Sequence, residues 1–165
     1  MANKSMENVF AALRFARTTL LSLFEDFPRD KVCHQLTPGG NHALWILGHI
    51  AFEDDVMMTM LGRKQAKCPA EWAKLFGMGS TPVGQASHYP KLDELLTALA
   101  DRREEFIAWL GLRTDAQLAE PLPKELIGFA PNAAALASSL AWHDGLHTGQ
   151  LTMLRRDLGL KPKYG

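Results

Sequence analysis

The chain has 165 residues, 47% hydrophobic and 22% charged, the composition of a globular domain large enough to bury a core. Its 18 basic and 18 acidic residues cancel, so the basic excess that an electrostatic nucleic-acid binder shows is missing. No apolar run approaches the roughly 18 residues needed to span a bilayer, and the N-terminus has no secretory pattern. The expectation is one domain, 1–165, without a nucleic-acid or membrane partner, in the cytoplasm. Cys33 and Cys68 fit no zinc-ribbon or thioredoxin-like spacing and are expected as reduced thiols.

Four long amphipathic helices are predicted in chain order, and no strand. The first spans about 6–27, with Met6, Phe10, Leu13, Leu20, Phe24 and Phe27 on its apolar face and Pro28 as its stop. The second starts near Thr37 and Pro38, a plausible N-cap followed by proline, and runs to about Leu61 before Gly62. Residues 63–90 are rich in glycine and proline, with a short helix at AEWAKLF; a connection of this length is often a lid or binding loop. The third helix covers about 91–110, a second irregular stretch 111–131, and the fourth helix about 132–158 with Gly159 after it. The pattern is an all-α four-helix bundle, and the long connections permit a crossover topology.

Three histidines interrupt apolar faces of these helices. His143 and His147 are four apart, hence on one helical face and about 6 Å apart along the axis. They fall in a stripe with Leu136, Leu140, Leu151, Leu154 and Leu158, while His49 falls in a second stripe with Trp45, Phe52, Val56 and Met60. Buried imidazoles need partners for their ring nitrogens. One divalent ion would satisfy all three, and imidazole ligation favours Zn or Ni; backbone carbonyls and mutual hydrogen bonds are the other solution.

Other polar residues lie near these stripes. Glu53, one turn after His49, is either a fourth ligand, a general base, a support for a ligand, or a solvated carboxylate beside Asp54 and Asp55. Asp144 points about 100° away from His143 and is expected to orient a neighbour or face water. Gln150 is near the face of His147. One of Arg102 and Arg103 must approach the inward stripe, to hold a substrate anion, to snorkel or to pair at the surface. His42 lies seven residues before His49, about 10.5 Å along a straight helix and too far to share its ion. His88 sits in the 63–90 loop and either reaches the site mouth or faces water. Trp45 and Trp142 are expected in the core, either able to wall a cavity.

The segments WILGHI, HDGLHTGQL and FGMGSTPVGQASHYPKLDELL resemble the DinB/YfiT-like superfamily, and the resemblance spans nearly the whole chain. It implies a four-helix bundle of up-down-down-up topology with a three-histidine metal site, onto which His49, His143 and His147 map. It further implies zinc or nickel, frequent homodimers, and relatives that act on small molecules with low-molecular-weight thiols. The expectation is a metal-dependent transferase with a thiol cosubstrate, or a hydrolase, with Glu53 as candidate base. The alternative is a metal- or ligand-binding bundle without catalysis.

Overall fold

Phe10, Leu13, Arg17 and Leu20 recur at steps of three or four and form the buried face of α1, Glu7–Ser22. The computed structural model describes residues 6–164. Helix α1 stops short of Phe27 because three-residue turns take over: Leu23 N–H bonds Leu20 O and Phe24 N–H bonds Leu21 O. The apolar spacing continues through this turn, which is why it reads as helix in the sequence.

Helix α2, Ala43–Met60, begins later than Thr37-Pro38 suggests. Gly40 N–H closes a turn onto Thr37 O, and Gly39 occupies φ +77°, a left-handed conformation that glycine adopts without penalty. The cap is His42, whose Nδ1 accepts from Trp45 N–H at 3.1 Å. Thirteen of the 18 residues of α2 are buried, so it is the central helix and no single stripe describes it. Phe52 and Val56 are half-buried and Met60 is 39% exposed, a correction to the expected inward face.

The short helix at AEWAKLF forms as α3, Trp72–Phe76, and α4 spans Leu92–Gly111. An unexpected α5, Asp115–Ala119, lies in the 111–131 stretch, held by a reciprocal capping box between Thr114 and Gln117. Helix α6, Ala133–Asp157, starts at Asn132, whose side chain accepts from Ala135 N–H at 2.9 Å.

Two apolar clusters define the topology. One holds Leu20, Leu23, Leu44, Leu47, Leu95, Leu99, Leu151 and Leu154; the other holds Phe10, Leu13, Met57, Phe106, Leu110, Leu136 and Leu140. Helices α1 and α6 therefore run from the second cluster to the first, and α2 and α4 run the opposite way. This is the up-down-down-up bundle, with α1 packed on α6 and α2 on α4. The 61–91 connection is long enough to return the chain for a parallel α2/α4 pair. Among the described residues there are only helices, turns and one isolated bridge, Pro121–Asn132, and no helix is long and apolar enough to cross a membrane.

Between the clusters, each long helix contributes one charged side chain to a buried ring. Arg17 donates to Asp144 at 3.0 Å and to Asp54 at 2.9 Å. Arg103 donates to Asp54 at 3.0 Å and 3.1 Å and to Asp144 at 3.1 Å. Two cations and two anions cancel, and bidentate geometry offsets the desolvation of all four. Burial opposes charge on Asp54, but Arg103 and Arg17 outweigh it and hold the carboxyl below its ordinary range. Asp144 thus does not face water but holds Arg17 and Arg103, and Arg103 neither snorkels nor waits for a substrate anion. Arg102 turns outward to Asp55 and Glu105, at 3.6 Å and 3.9 Å.

Candidate metal centre

The second turn of α2 places His49 beside α6, one turn above the charged ring. The stripe of α6 runs through Leu140, Asp144, His147 and Leu151, and His143 stands at its edge, half-buried. The structure brings His49, His143 and His147 together, with ligand nitrogens all within 4.8 Å of one another. His143 Nε2 is 3.3 Å from His49 Nε2 and 3.1 Å from His147 Nε2. Nitrogens held about 2.0–2.1 Å from a single ion in tetrahedral or octahedral arrangement lie roughly 2.9–3.4 Å apart. The spacing fits one divalent ion.

Hydrogen bonds on the far sides of the rings settle which nitrogens face inward as acceptors. His49 Nδ1–H donates to Phe76 O at 2.7 Å, and His147 Nδ1–H donates to Gln150 Oε1 at 2.9 Å. Asn41 Nδ2 donates to the same Gln150 oxygen at 3.1 Å and fixes the amide. Both Nε2 atoms then carry lone pairs. His143 Nε2 has at most one proton to share between them, so hydrogen bonding among the three leaves a buried acceptor unsatisfied. A cation at their centre satisfies all three.

Packing enforces this arrangement. An added Cβ on Gly48 would lie 2.6 Å from Phe76 Cδ1 and closer still to two other ring atoms, so only glycine lets Phe76 lie against α2. That approach puts the Phe76 carbonyl on His49. The indole of Trp45 stacks on His49 at 4.5 Å, and its Nε1–H bonds Leu75 O at 2.9 Å. The 61–91 segment therefore builds the site through α3. His88 does not join the cluster; it is exposed and its ring lies 5.4 Å from that of Tyr89. His42 caps α2 and bonds Val83 O at 3.0 Å, away from the three nitrogens.

All three rings are held neutral. Burial pushes His143 down to about 4, with the neighbouring His49 charge adding to the effect. Burial and His143 push His147 down to about 3, and burial lowers His49. Neutral imidazole is the form that ligates.

Glu53 stands apart from the ligand cluster. It faces a cavity of about 250 Å³ whose walls include His143, Met57, Phe129, Leu140 and Trp142. Burial, followed by the charge of Asp54, pushes its carboxyl up to about 7. A carboxyl near neutrality beside a metal ligand is suited to proton transfer. Trp142 is 67% exposed and stands at the cavity rim rather than in the core. Sequence reading missed Phe129 and Gly128 as cavity residues and Phe76 as the partner of His49. An aromatic-glycine pairing across 28 residues leaves no local signal.

The model of the DinB superfamily matches residues 12–151. Among solved structures the chain is similar to YfiT from Bacillus subtilis, with a TM-score of 0.66 and 16% identity over 98% of this chain and 91% of that one. YfiT is described as a probable metal-dependent hydrolase with an unusual four-helix bundle topology. No curated protein matches the chain.

Proposed function

The chain belongs to the DinB superfamily, and we propose that it is a metal-dependent enzyme acting on a small molecule, a hydrolase or a thiol-using transferase. His49, His143 and His147 hold the ion through Nε2, and the observation that carries this is their 3.1–3.3 Å convergence with both supporting Nδ1–H groups already engaged. Three neutral imidazoles favour zinc or nickel. When bound, the ion supplies Lewis acidity that makes a water or a thiol nucleophilic near neutral pH.

The protein's own residues do the rest. Glu53, ionised above about pH 7, takes the proton that the nucleophile sheds and can return it to the leaving group. Phe76 and Gln150 keep two ligand rings in one tautomer. The arginine–aspartate ring anchors Asp144 next to His143 and Asp54 next to Glu53, so both working residues stand on a rigid base. Burial pushes both chain thiols up, Cys33 above its ordinary value and Cys68 to about 11, so a thiol nucleophile comes from solution and not from the chain. A homodimer, implied by the family resemblance, belongs to the same proposal and is tested by light scattering.

Turnover is tested with metal-loaded protein on ester and amide substrates, and on electrophiles with glutathione or bacillithiol. Product that requires the ion and disappears in His143→Ala supports the enzyme. A fully loaded protein inert on both panels favours the alternative, a metal-binding bundle without catalysis.

A further inference from the structure

We infer that the cavity beside His143 receives an uncharged, largely apolar arm of the substrate and turns anions away. The inference rests on the metal-centred reading, because His143 marks where the reacting group would sit.

The lining carries the argument. Met57 from α2, Phe129 from the 111–131 segment, and Leu136, Leu140 and Trp142 from α6 present carbon to the cavity. Glu53 and His143 are the titratable groups among its walls, and no lysine or arginine is there. Arg17 and Arg103, the guanidinium groups paired with the chain neighbours of Glu53 and His143, are spent on Asp54 and Asp144. An anionic group placed here loses its hydration, meets no lysine or arginine side chain and faces a carboxyl. Ser139 offers little, since its single hydroxyl proton is shared between two backbone carbonyl oxygens, Phe129 O and Ala135 O, both at 3.2 Å. An apolar group gains by leaving water, and Glu53 provides one polar contact to orient it.

Size narrows the class. The volume is about 250 Å³, against about 150 Å³ for a protein cavity that accommodates benzene. One aromatic ring or a branched alkyl group fits, with a short substituent reaching toward His143. A peptide-sized or multiply charged thiol does not, so any such cosubstrate approaches from outside this cavity. Trp142 and Phe129, 67% and 45% exposed, stand where the arm enters.

The test uses the metal-loaded full chain at pH 8, where Glu53 is ionised. Benzyl alcohol and benzenesulfonate are neutral and anionic probes of similar size, and the sulfonate is a weak metal ligand. Binding is followed by NMR, including the Trp142 indole N–H, and bound metal is measured in each sample. Benzyl alcohol is expected to bind at least about tenfold more tightly than benzenesulfonate and to shift the Trp142 signal. Gly128→Phe adds a side chain at a lining position where a Cβ meets open space. It should weaken benzyl alcohol about tenfold or more and leave the metal in place. Glu53→Gln should narrow the gap between the probes. Equal affinity for both probes, or benzyl alcohol binding indifferent to Gly128→Phe, overturns the inference. A wild type that binds the alcohol but carries no ion supports the cavity and overturns the metal reading instead.

Discussion

Replacing Gly48 by alanine tests how packing builds the site. Helix propensity alone favours the change by about 1 kcal/mol in a helix interior. The new Cβ, however, stands 2.6 Å from Phe76 Cδ1 and closer to two further ring atoms. Comfortable carbon contact is near 3.5 Å, so the ring must retreat by more than about 1 Å. It has little room: Phe76 is 0% exposed and packs on Trp72 and Tyr89 at 5.3 Å and 5.7 Å between ring centres. Overpacking of this kind costs about 1–3 kcal/mol, so the clash outweighs the propensity gain. The Phe76 carbonyl moves with its ring, and the 2.7 Å bond from His49 Nδ1–H is lost. Losing such a support typically lowers metal affinity by about 10–100-fold. Denaturant unfolding of the metal-free protein measures the first effect, and competition with a chromogenic chelator measures the second. Gly145→Ala is the control, because a Cβ on that α6 glycine meets nothing within 4 Å; it should be neutral or stabilising and leave metal affinity unchanged. A Gly48→Ala protein with wild-type stability and wild-type metal affinity would refute the reasoning.

Three further outcomes are expected. Asp144→Ala leaves Arg17 and Arg103 short of a buried partner and should cost about 3–5 kcal/mol by denaturant unfolding, whereas a loss below about 1 kcal/mol would show the ring to be dispensable. His143, His147 and His42 sit at about 4, 3 and 4 in the folded protein against 6.5 when free, so the unfolded chain binds more protons between these values. Stability of the metal-free protein should therefore fall as pH drops from about 6.5 toward 4, and a flat denaturation midpoint across that window would contradict the buried neutral rings. Glu53→Gln should keep its ion yet lower turnover by about 10²–10⁴-fold and abolish the limb of the rate profile near pH 7; a variant that loses the metal instead would make Glu53 a ligand.

Much of this was legible in the sequence. The spacing of Leu136, Leu140, His147 and Leu151, and of Leu92, Leu99, Phe106 and Leu110, follows from helices with one buried face, and that periodicity survives folding. The HxxxH spacing likewise fixes His143 and His147 on one side of α6. Helix ends were harder, because His42 caps α2 with its ring, where serine, threonine or aspartate is the usual signal. The charged ring escaped notice for a different reason. Arg17, Asp54, Arg103 and Asp144 each look like an isolated fault in an apolar stripe, and only the bundle shows that the four faults lie at one depth and neutralise one another. A signal was present: one charge per helix, two of each sign, each flanked by buried positions three or four residues away. The cavity left no such trace, since Glu53, Phe129 and Trp142 come from three separate segments.

The central claim is that His49, His143 and His147 hold one divalent ion. Elemental analysis of wild type and His147→Ala, purified side by side, with a metal-edge anomalous map of the wild type, tests it most directly. The account predicts about one zinc or nickel per wild-type chain, an anomalous peak among the three Nε2 atoms, and a sharp loss of metal in the variant. Equal metal in the two proteins, or a peak away from these nitrogens, would contradict it.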